Sequence, residues 1–106
     1  MKLFDLSDAP AFNSEKFVAE NYAVGTNSNV RIIRLSSGQA LPTHTHGESD
    51  LMLLIVEGNG VLTTDEGDIA FLTGSLAQFS GTETLNVRND EAAGLTLFAF
   101  LAPIFP

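Results

Sequence analysis

The sequence contains no cysteine and no tryptophan. Without thiols there are no disulfides and no thiolate ligands, so a metal could be held only by imidazole, carboxylate or amide groups, and cysteine usage names no redox compartment. Basic residues are scarce too: five Lys and Arg stand against 13 Asp and Glu, for a formal net charge of −8. Phosphate backbones and anionic membranes are gripped by clustered lysine and arginine, whereas Arg31, Arg34 and Arg88 form no run. No nucleic-acid partner is expected. No apolar stretch approaches the ~20 residues that span a bilayer, and "MKLFDLSDAPAF" lacks a basic segment followed by an apolar one, so no membrane partner is expected either. These absences predict a soluble, cytoplasmic protein.

What is present is a succession of short strands. A chain of 106 residues can form one core, removing roughly two-thirds of its unfolded surface from water. No helical stripe of apolar positions is sustained, and apolar runs are broken by turn residues about every ten positions, the pattern of an all-β sandwich or barrel. "VRIIRLS" (30–36) is β-branched and half alternating, and Gly38 and Pro42 follow it. "LMLLIVE" (51–57) is apolar nearly throughout, as a strand covered on both faces would be. "GNG" (58–60) predicts a tight hairpin returning through "VLTT" (61–64), and "DEGD" (65–68) a second one. "IAFLT" (69–73), "LAQFS" (76–80), "TLNVRN" (84–89) and "LTLFAFLA" (95–102) complete the strands. Near the N-terminus Ser14-Glu15-Lys16 can begin a helical turn, but "KFVAENYAV" has the β-branched and aromatic content of a strand, which is the reading adopted. Residues 1–29 are expected to pack on, or swap with, a barrel of residues 30–106, the whole forming a single domain. The tail carries Phe98, Phe100, Ile104 and Phe105, which fit either a sealed central strand or a dimer surface.

Gly38, five residues, His44-Thr45-His46, four residues to Leu51 and six more to Gly58 resembles the first motif of the cupin family. That motif reads Gly, five residues, His-x-His, three or four residues, Glu, six residues, Gly. "GSLAQFSGTETLNVRN" resembles the second motif, with Gly74 and Asn89 in place, Ser80 for its proline, Thr82 for its glycine and Leu85 for its histidine. The resemblance spans about residues 30–101 and implies a jelly-roll β-barrel, the cupin-like double-stranded β-helix. In that family the two histidines, the glutamate and the later histidine converge on a divalent metal, commonly iron, manganese, nickel or zinc. Here Leu51 stands at the glutamate position and Leu85 at that of the third histidine.

Two imidazoles fall short of the three ligands of a zinc site or the two-His-one-carboxylate face of non-haem iron. His44 and His46 are the candidate metal ligands. Glu48 is the candidate carboxylate if its loop folds inward, with Asp50 and Gln78 as further oxygen donors. Alternation puts Leu51, Leu53 and Ile55 on one face of a strand and Leu85 and Val87 on one face of another; if these point inward, they and Gln78 line a mainly apolar cavity. No catalytic residue is assigned, because no serine or threonine sits in a nucleophile-elbow pattern. Two functions lead, with a barrel kept only as a structural or oligomerising unit, its interior filled, as a third. One is a module that binds a small organic molecule without a full metal site. The other is a metal-dependent oxygenase or isomerase using His44 and His46, with zinc, nickel, iron or manganese weakly held. The resemblance also implies a homodimer.

Overall fold

The computed structural model describes residues 1–105; Pro106, the last residue of the expected barrel segment, lies outside them. After a short 3-10 turn at Leu6–Asp8 come strands β1 (Val18–Val24), β2 (Asn29–Leu35), β3 (Asp50–Glu57), β4 (Gly60–Thr64), β5 (Gly67–Phe71), β6 (Leu76–Phe79), β7 (Val87–Arg88) and β8 (Leu95–Ala102). They form a five-stranded sheet in the order β1-β2-β8-β3-β6 and a three-stranded sheet in the order β5-β4-β7. All pairings between these strands are antiparallel. The two sheets face each other across one apolar core, the all-β jelly roll that the turn spacing predicts. No helix among the described residues is long and apolar enough to cross a membrane.

Two local readings are corrected. "GNG" does turn the chain, with Gly58 at φ +81°, but it makes no hairpin, because β3 and β4 belong to different sheets. The corner is tight: a Cβ at Gly58 would collide with the Gly94 carbonyl oxygen. The second turn does close a hairpin, pairing Thr64 with Gly67 across β4 and β5. The other correction concerns β3, whose apolar run is fully covered on one face and only partly on the other. Leu51, Leu53 and Ile55 are buried, while Met52 on the opposite face is 40% exposed. Near the N-terminus, Ser14–Lys16 form a bend and not a helix, and β1 pairs with β2 at the edge of the larger sheet.

The inward faces of the larger sheet decide where space is left. Leu35 pairs with Leu95, Ile33 with Leu97 and Leu51 with Leu101, and all six are buried in the core. One row differs. Arg31 pairs with Ala99, Ala99 with Leu53, and Leu53 with Ala77, so an arginine and two small residues share a level that the other rows fill with leucine and isoleucine. On the outer face Arg34 anchors the N-terminal segment: it donates to the Pro10 carbonyl oxygen at 2.9 Å and lies 4.9 Å from the centroid of the Phe12 ring.

Candidate functional site

The segment bearing the histidines runs alongside residues 81–89 as a row of backbone hydrogen bonds. Gly38 N–H donates to the Asn89 carbonyl (2.8 Å), Leu41 N–H to Val87 (3.0 Å) and His46 N–H to Gly81 (2.8 Å). Between them His44 and Leu85 form a two-way bridge, Leu85 N–H to His44 at 2.9 Å and His44 N–H to Leu85 at 3.4 Å. Gly81 permits the close approach: a Cβ there would collide with the Gly47 carbonyl oxygen. The far end of this row is held by Asn89, which is fully buried. Its amide donates to the Leu35 and Ala93 carbonyls at 2.9 Å each, and its Oδ1 accepts from Glu91 N–H at 2.9 Å.

This pairing presents both imidazoles to one place. Their ring centroids are 4.5 Å apart, and Phe105 meets the His46 ring at 5.1 Å, edge to face. Phe105 is tied down in turn by Asn29, whose amide nitrogen donates to its carbonyl (3.1 Å) and whose Oδ1 accepts from its N–H (3.0 Å). His44 Nδ1 lies 2.7 Å from the Pro42 carbonyl oxygen. A carbonyl only accepts, so Nδ1 carries the proton and Nε2 is left for other partners. His46 is 3% exposed, and its Nδ1 is buried without a hydrogen-bond partner among the described residues. Burial depresses the His46 pKa below its ordinary value, and the nearby charges of His44 and Arg31 push the same way.

Both histidines line a cavity of about 290 Å³. Ile33, Leu41, Leu85, Ala99 and Leu101 form its apolar wall, and Phe17, Ala19, Pro42 and Phe105 its less buried side. The remaining lining residue is Arg31, half-buried, whose guanidinium donates to the Ala19 carbonyl at 3.2 Å. The cavity exists because the alanines at 19 and 99 leave room that larger side chains would occupy.

Of the residues expected to line a cavity, Leu85 does so, bridged directly to His44. Leu51, Leu53, Ile55 and Val87 are fully buried but belong to the packed core, and none borders the cavity. Gln78 is exposed on the outer face of β6, opposite Met52. Glu48 is exposed in the turn after His46 and does not fold inward, and Asp50 is exposed at the start of β3. Among the described residues no group of three or more His, Cys, Asp and Glu side chains is placed to hold a metal. The donor set is thus two imidazoles beside a fixed guanidinium and an apolar wall, which does not fit a divalent cation. Arg31 was missed in the sequence, yet a signal was there: it shares strand parity with Ile33 and Leu35, so an arginine points inward where apolar residues are the rule.

No protein-family model matches the sequence, and no curated protein sequence matches it either. Solved structures do. An RmlC-like cupin protein from Desulfovibrio desulfuricans is 25% identical and superposes with a TM-score of 0.86 over 99% of each chain. A protein from Thermus thermophilus is 26% identical, with a TM-score of 0.87 over 98% of this chain and 99% of its own. An RmlC-like cupin family protein from Methanocaldococcus jannaschii, described as a double-stranded β-helix, shares the fold at 20% identity, with a TM-score of 0.77 over 97% and 91% of the two chains. With the same barrel over nearly its whole length, and the paired histidines on the strand segment where the motif spacing puts them, this chain has the double-stranded β-helix fold of the RmlC-like cupin proteins to which it is similar.

Proposed function

We propose that this protein is a ligand-binding module whose cavity takes up a small organic molecule and holds no divalent metal tightly. The observation that carries the reading is the lining itself: two imidazoles, one guanidinium, no carboxylate, and otherwise apolar groups. A divalent cation at the histidines would have two protein ligands and would face the positive charge of Arg31. An organic molecule would instead bury apolar area at about 25 cal/mol per Å² and be oriented by the polar groups at one end. The test is metal content by elemental mass spectrometry on untagged protein, beside the His44→Ala/His46→Ala double variant. Background metal in both is expected. Near one equivalent in the native protein, lost in the double variant, overturns the reading. That result would favour the rival, a metal-dependent oxygenase or isomerase whose third ligand comes from substrate or from a second copy of the chain.

The same reading takes the protein as a homodimer. Support comes from the outer face of the larger sheet, where Met52 pairs with Phe100 and both are exposed, at 40% and 39%, with Leu76 nearby at 59%. Exposed apolar groups gathered on one face mark an interface more often than isolated ones do.

A further inference from the structure

We propose that the cavity selects a carboxylate, specifically an aliphatic or aromatic monocarboxylic acid whose charged end meets the Arg31 guanidinium, at the end of the cavity that His44 and His46 share, while its body lies against Leu85, Ala99 and Leu101. The inference rests on the binding reading above and names the ligand class for it.

Charge makes the first argument. The chain carries 13 acidic residues, yet none lines this cavity. Its three arginines are also treated differently. Arg88 is paired with Asp68 at 2.8 Å and with Asp90 at 2.9 Å, and Arg34 lies 3.6 Å from Glu57. Arg31, the one in the cavity, has no carboxylate partner among the described residues and spends one donor on a backbone carbonyl. A guanidinium offers five N–H donors in a fork that matches the two oxygens of a carboxylate, so most of its capacity is free.

The second argument is independent of charge. The apolar wall of Ile33, Leu41, Leu85, Ala99 and Leu101 borders the same cavity as the Arg31 fork, so an occupant that pairs with the guanidinium lays an apolar body against that wall.

Size and polarity narrow the class. At roughly 30 Å³ for each water-sized volume, 290 Å³ holds an occupant of about ten non-hydrogen atoms. Among the described residues no polar side chain other than the histidines and Arg31 lines it, so a second charged end would lie unpaired against leucine and alanine. A monocarboxylate of the size of benzoate or octanoate meets both limits.

The experiment is a titration of ¹⁵N-labelled protein, freed of metal with a chelator so that no carboxylate binds through a cation. Benzoate and octanoate are the probes, and benzamide and octan-1-ol their neutral counterparts. Expected are saturable shifts at Arg31, His44, Ala99 and Leu101 with the acids, and binding at least ~10-fold weaker for the neutral molecules, since charge-assisted hydrogen bonds are about twice as strong as neutral ones. In Arg31→Gln the preference for acid falls to within about two-fold, while Arg31→Lys, which keeps the charge and loses the fork, lies between. Equal affinity for acid and neutral probe at these residues overturns the carboxylate proposal and leaves the binding reading standing. Failure of all four probes to shift them overturns both. Should Arg31→Gln not fold, the acid-to-neutral ratio in the unaltered protein decides the matter alone.

Discussion

Replacing His46 with leucine is expected to stabilise the protein, the reverse of what a buried residue in a family motif would ordinarily do. His46 holds a nearly fully buried imidazole with an unpartnered Nδ1, and such an atom costs about 1–3 kcal/mol. Leucine removes that cost and keeps the backbone bonds from His46 N–H to Gly81 and from Ser49 N–H to the His46 carbonyl. What it loses is the edge contact with Phe105, worth about 0.5–1.5 kcal/mol. The net expectation is a gain of about 1 kcal/mol near pH 7.5, or roughly 4–5 °C in Tm for a domain of this size. The gain should widen in acid. Because burial holds the folded pKa of His46 below its usual 6.5, the unfolded chain takes up the proton first as pH falls. Stability is therefore fully present above about 6.5 and is lost as pH drops toward the folded value, by up to about 1.4 kcal/mol per pH unit. The leucine variant lacks this loss. Urea unfolding of both proteins at pH 7.5 and 5.5 measures it. A variant less stable at both pH values, or a wild type whose pH dependence runs parallel to the variant's, would refute the reasoning and show that His46 already has a partner in the ligand-free fold.

Other expectations follow from the same geometry. Asn89→Ala removes three hydrogen bonds, two of them to carbonyls that no water replaces readily; at about 1 kcal/mol each it should cost about 3 kcal/mol, read as a lower urea midpoint with an unchanged slope. Ala99→Leu places a larger side chain beside Arg31, and should abolish benzoate binding while leaving Tm within a few degrees or raising it; retained binding would show that the occupant lies elsewhere. Light scattering coupled to size exclusion should give the mass of a dimer for the native chain, and Met52→Glu/Phe100→Glu should halve it, because like charges would then face each other across the sheet surfaces. A native mass of one chain at micromolar concentration would remove the dimer.

Much of the fold could be read from the residues, and less of the site. The β8 strand lies at Leu95–Ala102, the apolar stretch read as the last strand. The "GNG" turn shows the limit of local signals: Gly58 needs its positive φ whichever way the chain goes next, so the glycine marks a corner without saying whether the following strand pairs with β3 or crosses to the other sheet. In β3, an apolar run could not distinguish a strand covered twice from one whose second face, around Met52, is left partly exposed. At the site, spacing alone placed His44 and His46, because a motif with fixed intervals constrains neighbours along the chain. Arg31, Phe17 and Phe105 reach the cavity from other elements, and that convergence depends on sheet order, which no local pattern contains. Leu51, Leu53 and Ile55 show the converse: inward parity makes them core residues, but whether a level is filled or open depends on the small residues around it, here the alanines at 19 and 99.

The bridge between His44 and Leu85 is made by backbone atoms in both directions. The position of His44 is thus indifferent to which side chain residue 85 carries, and an imidazole there would arrive beside His44 with no rearrangement of the strands. A barrel arranged in this way is convertible: a change of one codon's meaning at 85 alters the donor set at the cavity while the scaffold that presents it stays fixed. A Leu85→His chain would put a third imidazole at this bridge and test directly whether the frame accepts it.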